Sequence, residues 1–489
     1  MPPTQSHSWG LHLTSLLPVN VIQAVMAFVG LAIYSRLMSP EAYGEYVLAM
    51  TAQLLGQFIV FGWLSAGIPR FTAQCEAEGT NSKLLTTAYA LFGLLALVFI
   101  LETIALFHAP FIPLGYRGLI LATLASGILR SAALIGLEAH RSGLRITRYS
   151  LFETLQAVIS VILGGYLVRR LGGRPEGIFI ALGLVNLAII LLDYPWLSKV
   201  IKPGDFSRAM AKRLWQYGAP LMLSTLFCFA LAYIDRFILA HLSDKEAVGM
   251  YGAALSLAER PMMMGFLWVA SASSSLGFHT MEHGKEEDVS ALMERALGTL
   301  IVLTFPMAVG LTVLAIPISS VLLGAEFHEK VADLLGLVAL SAILKGLVDH
   351  YLSQFFQLSM RTGLLSLIYA FALALSLAAN LLLVPRFGAV GTLSSALIAY
   401  GLALLSMVVI ARRWFPVRFP WLETLKVLVA CSLMYQAVQG LEVTNTPVGL
   451  VLGVGFGVGV YALAILALDI GQWRSRLFKP LFARGQRHA

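Results

Sequence analysis

The sequence predicts an all-α polytopic membrane protein with about fourteen transmembrane helices, and three observations carry that prediction. Of 489 residues, 58% are hydrophobic and only 12% are charged, about half the charged share of a soluble domain. The thirty residues between Arg295 and Glu326 contain no Asp, Glu, Lys or Arg, although about 20 apolar residues suffice to cross a bilayer. The apolar runs are continuous rather than alternating, which excludes a spanning β-barrel.

The spans fall at 17–38, 47–67, 85–107, 118–138, 151–168, 177–196, 215–240, 248–270, 297–322, 332–357, 363–385, 388–411, 421–440 and 447–468. The first carries Asn20 and Gln23, and the second Gln53 and Gln57, four apart on one face; interhelical hydrogen bonding is the expected use of such residues. Glu102 lies in the third span and Arg130 in the fourth. Arg170-Leu171-Gly172, with Gly177, separates the fifth from the sixth. A basic stretch with Lys199, Lys202, Arg208, Lys212 and Arg213 follows and suits anionic lipid headgroups. The seventh span ends on Asp235-Arg236, and the eighth contains Glu259-Arg260-Pro261. The ninth is free of charge but holds Pro306 and Pro317, which favour bends. Lys345 and Asp349 lie in the tenth, and Pro385-Arg386-Phe387-Gly388 separates the eleventh from the twelfth. Alternate glycines from Gly453 to Gly459 mark the fourteenth as a close-packing surface.

Two echoes divide the first twelve spans into two groups of six. Glu41-Ala42-Tyr43-Gly44-Glu45-Tyr46 returns as Glu246-Ala247-Val248-Gly249-Met250-Tyr251, each between the first and second span of its group. Arg170-Leu171-Gly172 with Gly177 returns as Arg386-Phe387-Gly388 with Gly391, each before the last span. Six spans per group keep both groups in one orientation, so the repeat is parallel. The expected organisation is an N-terminal six-helix lobe (1–198), a cytoplasmic basic linker (199–214), a C-terminal six-helix lobe (215–414), and two extra helices with a basic cytoplasmic tail (415–489), the lobes flanking a central cavity.

With the N-terminus in the cytoplasm, 22 of the 34 Lys and Arg residues lie on the cytoplasmic side, 8 on the other and 4 within spans. The positive-inside rule selects that orientation, with both termini cytoplasmic. The net charge of +8 is therefore a topology signal rather than a nucleic-acid footprint. No basic residue precedes the first span, which is expected to act as an uncleaved insertion signal. Cys75, Cys228 and Cys431 are scattered and suggest neither a disulfide framework nor a metal site. There is no nucleotide-binding loop, zinc motif or nucleophile elbow. The expectation is a non-enzymatic protein without cofactor.

Ionisable groups at membrane depth face a cavity or a partner. The basic candidates are Arg130, Arg236, Arg260 and Lys345; the acidic ones, for ion coupling or pairing, are Glu102, Asp235, Glu259 and Asp349. Arg130 and Lys345 occupy the fourth span of each group, and pseudo-symmetry would turn both toward the central space. Lys345 and Asp349 are four apart and could instead neutralise each other, and Asp235, Arg236, Glu259 and Arg260 could close into an interhelical quartet. Arg130 has no acidic residue within a helical turn, and a guanidinium can engage two phosphate oxygens at once.

The segment Tyr34–Tyr46, Tyr217-Gly218-Ala219-Pro220, Asp235-Arg236, Gly249-Met250-Tyr251, and Asn380 with Pro385-Arg386-Phe387-Gly388 and Gly391 resemble polysaccharide flippases, the Wzx-like branch of the multidrug/oligosaccharidyl-lipid/polysaccharide (MOP) exporter superfamily. The resemblance implies a bacterial inner-membrane protein moving undecaprenyl-pyrophosphate-linked sugar units by alternating access, for surface polysaccharides such as lipopolysaccharide O-antigen or exopolysaccharide. It implies as partners the lipid-linked oligosaccharide, membrane lipids, and a polysaccharide polymerase with its export machinery, but no nucleic acid. Glu259-Arg260-Pro261 is similar to an acidic-Arg element of lipid II flippases; the first span lacks the basic residues those proteins carry there. A multidrug/cation antiporter of the same superfamily, a lipid II flippase and a membrane sugar polymerase or ligase are the alternatives.

Overall fold

The computed structural model describes residues 3–107, 114–283 and 286–472, with side chains of the first helix described from Pro18. Among these residues there are helices and no strands. The chain packs into two compact units, Met1–Ala240 and His241–Ala489. The basic tail beyond residue 472 lies outside the described residues.

The first unit contains α1 (Pro3–Leu37), α2 (Pro40–Ala77), α3 (Asn81–Phe107), α4 (Arg117–Ser142), α5 (Ile146–Arg170), α6 (Glu176–Val200) and α7 (Arg208–Tyr233). A short helix, α8 (Asp235–Leu242), runs into the second unit. There follow α9 (Lys245–His283), α10 (Glu286–Val313), α11 (Ala315–Leu322), α12 (His328–Gly346), a π-helical turn (Leu347–Leu352), α13 (Ser353–Leu358), α14 (Thr362–Ala411), α15 (Trp421–Gln439) and α16 (Pro447–Ala467). Eleven helices among the described residues are long and apolar enough to cross a membrane.

Several spans are interrupted where backbone chemistry demands it. The ninth divides into α10 and α11 at Leu314, three residues before Pro317, which has no N–H to give to the preceding turn. Pro261 and Pro306 stay inside α9 and α10. Helix α14 counts 50 residues, about 75 Å if straight, more than twice the hydrocarbon thickness. It is two spans joined at Gly388, whose φ of 52° and ψ of −128° are non-helical.

Both echoes turn out to be backbone instructions. Two residues before the first phrase, Ser39 Oγ accepts the Ala42 N–H at 3.3 Å; before its copy, Asp244 Oδ1 accepts the Ala247 N–H at 2.6 Å. Each copy is thus an N-capped helix start. In the second echo Gly172 and Gly388 both have positive φ, 68° and 52°, a region that only glycine enters without steric cost. A Cβ on Gly177 would sit 2.6 Å from Val168 N, and one on Gly391 would sit 2.5 Å from Leu383 O. The last helix of each group therefore starts against the backbone of the helix before it. Within each unit the second, third and fourth spans pack on one another: α2, α3 and α4 in the first, α9, α10 and α12 in the second.

Gly177→Ala and Gly391→Ala should each lower stability by roughly 1–3 kcal/mol, since backbone rather than a flexible side chain must yield. Thermal unfolding in detergent measures this. Gly455→Ala, at a position with open space around it, is the control expected to unfold like the parent.

Lipid replaces water as the surrounding solvent, so burial follows small-residue contacts more than hydrophobicity. Leu94, Leu97 and Leu101 of α3 are exposed. Gly453 and Gly457 are buried, and a Cβ on the latter would sit 3.2 Å from the Val438 side chain of α15. Trp63, Leu64, Ile68, Leu84, Leu85 and Leu214 form one core of the first unit, under α7. The stretch between α6 and α7 is strapped to the start of α3: Ser82 donates to Asp205 at 2.6 Å, and the N–H groups of Lys202 and Ser207 donate to Thr86 and Thr87 at 3.2 and 3.0 Å.

Candidate functional site

Among the described residues, the four basic candidates resolve into three ion pairs and one exposed cation. In the first unit Arg130 of α4 donates through Nη2 to Glu153 Oε1 at 3.1 Å. Glu153, on α5, is buried and takes a second hydrogen bond from Gln23 Nε2 of α1 at 2.6 Å. Arg130 Nη1 is buried and has no hydrogen-bond partner among the described residues. The α4–α5 turn is only residues 143–145, so the two helices run back along each other from it. Arg130 lies about 7 Å further along its helix from that turn than Glu153 does, an offset a long arginine side chain spans. Nearness along one helix could not reveal this partner; the short hairpin turn was the available signal.

In the second unit Lys345 of α12 donates to Glu259 of α9. Asp349 accepts the Tyr369 hydroxyl of α14 at 2.8 Å. Between them lies the start of the π-helical turn Leu347–Leu352, whose wider winding rotates side chains away from ordinary i, i+4 register. Asp235 and Arg236 face each other, with Arg236 Nη1 3.4 Å from Asp235 Oδ1 and 2.8 Å from the Ala232 carbonyl. Of the four residues read as a closed quartet in sequence, Asp235 contacts Arg236, Glu259 contacts Lys345 from outside the four, and Arg260 is exposed. Glu102 falls in α3, but its side chain lies outside the described residues.

Arg260 differs from the rest. It is exposed, and among the described residues it forms no ion pair or hydrogen bond. It lies fifteen residues into α9, about 22 Å along the helix axis. Helix α9 is not among the eleven helices long and apolar enough to cross a membrane, and the exposed guanidinium there is met by water or by an anion. Its arrangement suits a phosphate, which it can engage with two parallel hydrogen bonds.

Two further acidic residues, Asp193 and Glu76, have basic partners that the sequence did not show. His140 is fully buried in α4, and its Nε2 lies 2.9 and 3.0 Å from the two carboxylate oxygens of Asp193 on α6. Arg148 approaches the same carboxylate at 3.7 Å, and the Trp196 ring packs 4.2 Å from the imidazole. Arg145 joins α5 to Glu76 of α2 at 2.9 Å. Polar uncharged residues serve interhelical bonding, as expected: Gln57 donates to the Gly127 carbonyl at 2.9 Å, Ser126 to Gln53 at 3.2 Å, and Ser273 to Gln354 at 3.0 Å.

Residues 33–332 match the family model described as polysaccharide biosynthesis protein. No curated protein sequence matches the chain. Among solved structures, the chain is similar to the lipid II flippase MurJ in an inward closed conformation, with a TM-score of 0.72 and 14% identity over 96% of this chain and 99% of that one. It is also similar to an inward-facing multidrug resistance MATE family transporter of the MOP superfamily, with a TM-score of 0.62 and 16% identity over 80% of this chain and 95% of that one. A MOP superfamily transporter from Pyrococcus furiosus aligns with a TM-score of 0.53 and 17% identity over 82% and 94% of the two chains. At such identities the likeness is one of fold.

Proposed function

Because the chain belongs to the polysaccharide biosynthesis protein family and has the fold of MOP-superfamily transporters, we propose that it is a flippase for polyprenyl-pyrophosphate-linked oligosaccharides, working by alternating access in the bacterial inner membrane for surface polysaccharide assembly. The observation that carries the reading is Arg260, an exposed cation fifteen residues into α9 with no carboxylate on it among the described residues. A pyrophosphate headgroup supplies the anion that such a side chain needs. Arg130 and Lys345 are secondary candidates, since Glu153 and Glu259 already neutralise them. Arg236 is held by Asp235 and a backbone carbonyl and has the smallest part in this reading. Of the acids, Glu259 can release Lys345 by taking up a proton or a cation, which makes it the leading coupling residue.

A cationic drug would need free carboxylates, whereas Glu153 and Asp193 of the first unit are both engaged by basic side chains. That disfavours the multidrug antiporter reading. The deciding experiment reconstitutes the chain in liposomes with a fluorescent polyprenyl-pyrophosphate oligosaccharide in the inner leaflet. Protein-dependent appearance of the sugar outside is expected. Failure to move it, together with proton-driven export of a cationic dye, would replace the flippase by an antiporter.

A further inference from the structure

The hairpin end of the first unit holds a recess of about 290 Å³ that none of the charges discussed above enters. Its walls come from three turns: the α1–α2 junction with Leu37, Ser39, Ala42 and Glu45, the start of α4 with Tyr116 and Leu119, and the α5–α6 turn with Arg174 and Glu176. Leu119 is buried, and with Leu37 and Ala42 it makes an apolar part of the wall. The polar part is Ser39, Glu45, Tyr116, Arg174 and Glu176. Glu176 is only 8% exposed, and Arg174 Nη2 fixes its carboxylate by donating to Oε1 at 2.5 Å. Gly115, Gly172 and Gly173 put no side chains at the recess, and the last two have φ of 68° and 85°.

The repeat supplies a test of whether these polar groups are demanded by the fold. In the second unit the residue equivalent to Glu45 is Met250, buried, and the residue before the packing glycine is Val390 rather than Glu176. The turn is also shorter there: Arg386 and Gly391 are five positions apart, Arg170 and Gly177 seven. The same helix junction is therefore built without either carboxylate and without the two extra residues that carry Gly173 and Arg174 to the recess. A buried carboxylate that the architecture does not require carries a cost.

We infer that this recess is a saccharide-binding site for one sugar unit. The Glu176 carboxylate, held by Arg174, and that of Glu45 accept hydrogen bonds from sugar hydroxyls, while the Tyr116 ring and the apolar wall cover the C–H face of a pyranose. The volume lies at the lower edge of ordinary ligand pockets, a few hundred Å³, which suits a single ring rather than an oligosaccharide. By the charge asymmetry of the loops these three turns face away from the cytoplasm. The inference rests on the flippase reading for its biological meaning: the site would hold the sugar end of the substrate on the side where it is delivered.

The full chain in nanodiscs should give saturation-transfer NMR signals with at least one of the methyl glycosides of glucose, galactose, N-acetylglucosamine and N-acetylgalactosamine. Glu45→Gln and Tyr116→Ala should each weaken that binding tenfold or more. Glu176→Gln should do the same if it elutes as a folded monodisperse protein; Glu45→Gln and Tyr116→Ala decide the matter if it does not. Gly455→Ala, at a position with open space around it and outside the recess, should leave glycoside binding within twofold. Absence of signal for all four glycosides, or unchanged binding in Glu45→Gln and Tyr116→Ala, overturns the site. Glycoside binding without oligosaccharide translocation would overturn the flippase reading while leaving the recess standing. Translocation without glycoside binding would do the reverse.

Discussion

Glu259→Ala is expected to destabilise the chain more than Glu259→Ala combined with Lys345→Met. The two side chains are only 17% and 20% exposed and contact each other. Removing the carboxylate alone leaves an ammonium group in a poorly solvated place, at a cost up to roughly 3–5 kcal/mol; removing both leaves no charge to solvate. The partial exposure puts the expected loss toward the lower end of that range. The same ordering should hold for Glu153→Ala against Glu153→Ala with Arg130→Met, where Glu153 is 6% exposed and Gln23 loses its acceptor as well. Thermal unfolding in nanodiscs of wild type, single and double variants gives the comparison. Equal midpoints for the single and double variants would mean that the pairs are solvated and carry no energy. The pairs also bear on transport: a phosphate reaching Arg130 or Lys345 has to compete with a carboxylate already in contact.

Arg260→Ala should show the opposite separation, with transport lost and stability kept. No ion pair or hydrogen bond among the described residues is broken by the change, and an exposed charge adds little to stability. Unfolding should therefore stay at the wild-type temperature. Transport of the lipid-linked oligosaccharide should fall roughly tenfold to a hundredfold, the worth of about 1.5–3 kcal/mol for a hydrogen bond to a charged group. Arg260→Lys should recover part of the rate, because it restores the charge without the planar fork. An Arg260→Ala variant that transports at the wild-type rate removes Arg260 from the substrate site.

Much of the architecture was legible in the residues because a bilayer leaves the chain few choices. With no water to satisfy peptide groups, a long apolar run has to be a helix, and composition alone then selects the fold class. The echoes were legible for a similar reason. Ser39 and Asp244 cap helices, Gly172 and Gly388 take positive φ, and Gly177 and Gly391 meet backbone; each is a local demand that few residue types can meet. The break at Leu314 follows from Pro317 in the same way.

The amino-acid sequence by itself determined that the chain is a bundle of membrane helices, and which of its helices carry charged side chains. Only the tertiary structure decided how those charges are spent. Arg130 found Glu153 across a hairpin, Lys345 found Glu259 on another helix beside the π-helical turn, and Asp193 found His140. Arg260 was left exposed. The physical reason is range. Capping, chain reversal and the solvation of a long apolar run are settled within a few residues, whereas the partner of a buried charge depends on helix rotation and register, which the packing of every neighbouring helix fixes together.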